Sequence, residues 1–215
     1  ADSIGYDAAR GRLYVVTGGK DVPMKDSWLE QVDPRAGKAI NRIHFDADHV
    51  EAMAVEQKGS RLFINVTDKN YIAVLDKVSL KEMARWPVAK ELGANCCFAF
   101  DEAHHRLFVV TRKPAHVLVL DSDSGGQLAS FTAPERVDAM EWDERHNRAY
   151  VIGGEGWIQT IEEKDPAHFV ELPRLVTAPG AKTSVLVPER NEMFVAVSPG
   201  DSKAMAQVLR ISLGQ

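Results

Sequence analysis

The sequence predicts an all-β propeller of five blades, and three features of the chain carry that expectation. A strand-like pentapeptide recurs as RLYVV at 12–16, RLFIN at 61–65, RLFVV at 106–110, RAYVI at 148–152 and EMFVA at 192–196, at intervals of 42 to 49 residues. A period in this range, with several strands in each unit, marks a propeller-type array. The second and third strands of each unit are nearly continuous apolar runs, as in Leu107-Phe108-Val109-Val110 and Val117-Leu118-Val119-Leu120. Such runs imply burial on both faces, which stacked blades supply without helices. Each of the first four units then passes through a polar turn (DPRAGK, DKVSLK, DSDSGG, EEKDPA) into a more polar strand suited to an outer edge.

The first strands are expected at Ile4 to Asp7, Val50 to Glu56, Cys97 to Asp101, Val137 to Asp143 and Ser184 to Glu189. Each ends in an acid. In four units an Arg stands five places later (Arg12, Arg61, Arg106, Arg148), which predicts a hairpin closed by opposite charges across its strands. The fifth unit departs from this, with Glu192 in the Arg place. One segment, Ser79 to Leu92, has a helical rival through Leu80, Met83 and Ala84. Pro87 interrupts it, so it reads as a strand with a short turn around Ala89 to Leu92. The blades are expected at about 1–46, 47–90, 91–133, 134–177 and 178–215 within one domain, the last lacking a fourth strand. A compact five-bladed ring or a piece of a seven-bladed parent both fit that count. An open array would expose apolar blade faces and favour a homodimer.

Composition narrows the function less. With 26 basic and 31 acidic residues the net charge is −5, which does not favour a general nucleic-acid or membrane binder. No apolar run approaches the ~20 residues of a membrane helix, and the chain opens at Ala1, which points to processing or trimming. Cys96 and Cys97 are adjacent, with Cα atoms about 3.8 Å apart, too close for an unstrained disulfide. They read as small buried residues at a strand start.

DEAHHRLFVVTRKPAHVLVLD at 101–121 and TAPGAKTSVLVPERNEMFVAV at 177–197 resemble repeats of the YVTN family of bacterial β-propeller proteins, with Tyr14-Val15-Val16-Thr17 nearest to the name-giving tetrapeptide. The resemblance spans essentially the whole chain. It implies a propeller, usually of about seven repeats, and an exported protein, periplasmic or secreted.

Chemistry is sought where a unit departs from the repeat. Five places before each terminal acid stand Asp2, Glu51, Cys96, Asp138 and Ser184. In a propeller the first strands lie innermost, so this column would ring the central channel. It offers a cation site with Glu51 and Asp138 as ligands, suited to calcium or magnesium. The structural alternative is that these groups cap backbone at the strand entry. On the same face, loops carry Lys20, Lys25, Lys69, Arg112, Lys113 and Lys203, a basic rim for an anionic ligand or an acidic partner. His104 and His146 share one turn position and read as hairpin residues. Gly153-Gly154-Glu155-Gly156 reads as a turn, and Trp28 and Trp157 as blade packing. No nucleophile elbow, P-loop or dinucleotide fingerprint occurs. The expected function is a non-catalytic scaffold presenting a loop-lined face to a protein or small ligand. The alternatives are a divalent-metal, lactonase-like hydrolase at the channel mouth and single-stranded nucleic-acid binding on the rim.

Overall fold

Five antiparallel sheets account for the secondary structure of the computed structural model, which describes residues 3–200 and 205–214. The first sheet comprises β1 (Ile4–Asp7), β2 (Arg12–Gly18), β3 (Ser27–Asp33) and β4 (Lys38–Phe45). The second comprises β5 (Val50–Val55), β6 (Arg61–Val66), β7 (Tyr71–Asp76) and β8 (Glu82–Pro87). The third comprises β9 (Cys97–Asp101), β10 (Arg106–Arg112), β11 (Ala115–Asp121) and β12 (Gln127–Thr132). The fourth comprises β13 (Val137–Asp143), β14 (Arg148–Gly153), β15 (Trp157–Asp165) and β16 (His168–Val176). The fifth has three strands, β17 (Ala181–Val187), β18 (Glu192–Val197) and β19 (Gln207–Ser212). Every strand pairs with its sequence neighbour. This is the five-bladed all-β propeller that the repeat predicts, with a three-stranded last blade. No described helix is long and apolar enough to cross a membrane. The segment with a helical rival is β8, followed by one turn closed by Leu92 N–H on the Ala89 carbonyl.

The chain divides into two units, residues 1–96 with two blades and 97–215 with three. In the first unit β1 lies beside β5; in the second β9 lies beside β13, and β13 beside β17. Within each unit, successive blades therefore meet along their first strands, and their apolar faces pack together. Tyr14, Leu29, Leu62, Ile64 and Leu75 join the first two blades in one cluster. Phe108 stacks on Trp142 at 5.3 Å and meets Phe169 edge-on at 6.1 Å, joining blades three and four. Tyr150, Ile158, Met193, Val195 and Leu213 join blades four and five. The second and third strands of blades two to four are buried on both faces, as their apolar runs require. In blade one, by contrast, β2 and β3 alternate between buried and half-buried residues, and β19 is mostly exposed.

Two sequence expectations need correction. The hairpins pair in the expected register, but the charges do not. Asp7, Asp101 and Asp143 are short and buried, and each turns an oxygen to backbone N–H groups of its own turn. Their arginines reach instead to the acid of the third strand: Arg12 to Asp33 at 2.8 Å, Arg106 to Asp121 at 3.5 Å and Arg148 to Glu162 at 3.7 Å. Only Glu56, longer by a methylene, meets its own Arg61. The second correction concerns blade five. Its first strand is Ala181–Val187, and Pro188–Arg190 forms a 3₁₀ turn. Proline is pre-set for the start of such a turn and lacks the N–H that strand pairing needs. Val187, not Glu189, therefore opposes Glu192.

One position recurs in blades two to five, and within each unit it joins neighbouring blades at Lys77, Glu163 and Leu213. It follows the residue that pairs with the Arg on the third strand, and in blades two to five it holds Lys77, Ser122, Glu163 and Leu213, all buried. Each donates its N–H, at 2.8–3.0 Å, to the first hairpin turn of its own blade, at Ser60, His105, Asn147 or Asn191. The Lys77 ammonium lies 3.3 Å from Asp7 of the preceding blade and bonds the Glu56 carbonyl. Its own carbonyl accepts Tyr14 Oη at 2.6 Å and Gln31 Nε2 at 3.1 Å. Burial opposes ionisation of Asp7, but the Arg10 backbone N–H and the Lys77 ammonium together hold its carboxyl below the usual 3.8.

Replacing Lys77→Met leaves Asp7 buried with Arg10 at its edge. We expect a loss of about 3–5 kcal/mol, read from the urea midpoint. Because the folded pKa of Asp7 is depressed, the stability it contributes is present above pH 3.8 and disappears as pH falls below that value. The variant should show a shallower acid limb than the wild type.

Candidate functional site

Three first strands carry a β-bulge at the same place. In β5 the register slips between Val50 and Met53, in β13 between Val137 and Ala139, and in β17 between Ala181 and Thr183. The bulged positions hold Glu51 with Ala52, Asp138, and Lys182. A bulge re-aims the side chain of its extra residue and increases local twist, so these residues leave the packed faces of their blades.

In the second unit this arrangement produces a clamp. Asp138 Oδ1 accepts Arg112 Nη2 at 2.6 Å, and Asp138 Oδ2 lies 2.8 Å from Lys182 Nζ. Arg112 is further fixed by its Nε on the Val137 carbonyl at 3.0 Å. Blade four thus presents a carboxylate held on both oxygens, by a cation from blade three and another from blade five. The side chains involved are 30–37% exposed. Exposed Lys113 and Arg136 add positive charge to the same end of the sheets. Gly154, in the turn between β14 and β15, lets this end close up. A Cβ there would stand 2.9 Å from the Arg136 carbonyl oxygen, and the Lys182 stem passes on the same side. The GGEG segment is the tight turn that its composition predicts.

The first unit has a smaller counterpart. Lys20 Nζ lies 2.8 Å from His49 Nδ1, and His49 Nε2 lies 2.5 Å from Glu51 Oε1. Lys20 Nζ also lies 3.0 Å from Nε2, so the ammonium sits against the imidazole, and His49 links Lys20 to Glu51.

The predicted residues therefore separate into several environments. Glu51 and Asp138, the expected metal ligands, each have a basic partner, and a divalent ion there would have to displace it. Cys96 and Cys97 are buried and not joined in a disulfide. Cys96 precedes β9 and accepts the Ala52 N–H through its carbonyl at 3.4 Å. Ser184 does not occupy the predicted column. The 3₁₀ turn shifts the alignment by two, so Lys182 stands there, and Ser184 Oγ donates to Glu141 at 2.8 Å. Burial pushes the Glu141 carboxyl up, with the Ser184 hydroxyl pulling the other way. Asp2 and Lys203 lie outside the described residues. Of the remaining rim residues, Lys25 and Lys113 are exposed and Lys69 lies 3.7 Å from Asp68. Trp28 and Trp157 are only half-buried. Trp28 lies against His44, and Trp157 carries the Arg174 guanidinium 3.8 Å above its ring.

At the other end of the second unit, His104 and His146 each place Nδ1 2.7 Å from the aspartate three residues earlier, as turn residues should. His104 has a further neighbour that the sequence did not suggest: Glu163 Oε1, at 3.7 Å. Asp101, His104 and Glu163 form the group able to hold a metal ion among the described residues, with donor atoms within 4.8 Å of one another. Burial and the like charge of Asp101 push the Glu163 carboxyl up to about 7, against the pull of His104 and Arg106. The turn strings did differ at this position, with Lys77 in DKVSLK and Glu163 in EEKDPA. A polar turn, however, does not announce that one of its residues is buried.

Comparison with known proteins agrees with the fold. No family model matches the chain. It is 28% identical over 162 residues to proteins described as uncharacterized protein YncE in Salmonella typhi and Salmonella typhimurium, covering 74% of this chain and 44% of each relative. The YncE of Escherichia coli O157:H7 is 30% identical over 119 residues, covering 54% of this chain and 33% of the relative. Among solved structures, a chain of Kuenenia stuttgartiensis hydrazine synthase superposes with a TM-score of 0.63 at 16% identity, over 74% of this chain and 45% of that one. The chain spans less than half the length of these relatives, and the structural likeness concerns the fold alone. It is a β-propeller similar to bacterial YncE proteins.

Proposed function

We propose that the chain is a non-catalytic binding scaffold of the YVTN-repeat kind, working outside the cytoplasm, whose bulged strand entries receive an anionic partner or small ligand. The observation that supports this reading is the Arg112–Asp138–Lys182 clamp. Two cations brought in by neighbouring blades converge on one carboxylate at a partly solvated surface. Ion pairs this exposed are worth about 0–1 kcal/mol, so a ligand carboxylate or phosphate can replace Asp138 at little cost. The guanidinium also offers a planar fork suited to either anion. Asp138 then acts as an internal competitor: it keeps the two cations apart and oriented when the site is empty. Lys113 and Arg136 widen the field that draws an anion in.

Two measurements test the reading. Titration with an oligoglutamate peptide at low salt should give binding that weakens as salt rises. Arg112→Ala and Lys182→Ala should each reduce affinity by up to about fivefold, in line with the ~0–1 kcal/mol of an ion pair this exposed, whereas Asp138→Asn should tighten it. Absent or salt-insensitive binding, or binding indifferent to all three substitutions, would sink the proposal. The clamp contributes little to folding, so Asp138→Asn should change stability by no more than about 1 kcal/mol, a melting shift of roughly 2–4 °C.

A further inference from the structure

The position that joins blades carries a cation between blades one and two and an anion between blades three and four. At Lys77 an ammonium sits 3.3 Å from Asp7, the acid closing the first strand of the preceding blade. At Glu163 the same topology sets a second carboxylate against Asp101, the equivalent acid of blade three. Both acids are buried; Glu163 is 4% exposed and Asp101 1%. Neither oxygen of Glu163 has a hydrogen-bond partner among the described residues. A buried carboxylate with no donor is costly, and here another acid stands beside it. Of the nearby basic groups, neither Arg106 nor His104 hydrogen-bonds Glu163, and Arg106 Nε is itself buried without a partner among the described residues. Arg106 spends its terminal nitrogens on the His105 and Pro166 carbonyls and on Asp121. His104 gives Nδ1 to Asp101.

We propose that a divalent metal ion occupies the place that the Lys77 ammonium fills in the first unit, bound by Asp101, Glu163 and His104. The unpartnered Glu163 oxygens aim into a group whose donors already lie within 4.8 Å of one another. Small side-chain rotations bring all three to one ion. Two carboxylates and an imidazole suit zinc or manganese better than calcium, which takes oxygen ligands in larger number. The His104 side chain is 42% exposed, so the ion enters from solvent and water completes its shell. The site lies at the end of the strands opposite the Asp138 clamp. Its role is to lock blade three to blade four, because Asp101 closes β9 and Glu163 belongs to β15.

The test uses the whole chain, freed of metal with EDTA and then dialysed. Calorimetric titration with Zn²⁺ and with Mn²⁺ should show one ion per chain and a raised melting temperature for at least one of the two metals. Co²⁺ should give visible d–d bands that Zn²⁺ bleaches. His104→Ala should weaken binding by about tenfold or more, since losing a ligand costs at least as much as losing an outer-shell partner. Glu163→Lys should abolish binding while the protein stays folded, because it rebuilds the Lys77–Asp7 pair, and Glu163→Gln provides an uncharged check of nearly the same shape. No saturable binding of either metal, or binding that survives Glu163→Lys, overturns the proposal and leaves the two acids to share a proton.

Discussion

Burial of both faces of the second and third strands in blades two to four is the constraint from which the rest of the structure follows. A blade of four short strands cannot exclude water alone, and its second and third strands become interior only when neighbours press on either side. Once they do, any polar group at the contact loses its solvent and must be neutralised by the adjoining blade. The residue after the third-strand partner of the hairpin Arg (Glu192 in blade five) has one backbone geometry in blades two to five, and within each unit it sits at that contact in blades two, four and five. Lys77 meets the requirement with a charge, and Leu213 avoids it by joining the apolar cluster of Tyr150 and Met193. Glu163 has neither solution among the described residues. The contrast matters because the backbone geometry is the same in all four places, down to the bond into the first hairpin turn. What differs is only the group delivered, so the difference in chemistry can be assigned to the side chain.

The same logic separates the two ends of the strands. At the turn end, aspartates are buried and spend their oxygens on their own loop, so the acids there hold the hairpin. At the entry end the bulges carry Glu51, Asp138 and Lys182 out of the packed layers, where they remain partly solvated. Charges at such a place are inexpensive to rearrange, which makes the entry end suited to exchange with a ligand. The turn end is suited to permanent ties between blades. Arg112 and Lys182 belong to different blades from Asp138, so the clamp exists only because three blades are stacked in order.

Much of this was legible in the chain. The recurring pentapeptide, the apolar runs and the polar fourth strands specify the sheets, their order and their number, because strand period and turn chemistry are local properties. The equivalence of His104 and His146 was readable for the same reason: an aspartate and a histidine three residues on make a local turn bond. In the column of Asp2, Glu51, Cys96, Asp138 and Ser184, alignment on the strand-ending acid brings Glu51 and Asp138 to the bulged strand entries. It failed at Ser184, where Pro188 starts a 3₁₀ turn and shifts the strand by two residues, bringing Lys182 into line.

By itself, then, the sequence determined the propeller of five blades, the strand order and the turns, since each depends on residues within one repeat. Only the tertiary structure decided which charges meet. The arginines turn to the third strand because the short aspartates are consumed by their loops. Asp138 is saturated by cations some 26 and 44 residues away along the chain. Glu163 is buried against Asp101 because two blades press together there. Pairings across blades depend on distances in space that no spacing along the chain encodes, and the functional chemistry of this protein lies in those pairings.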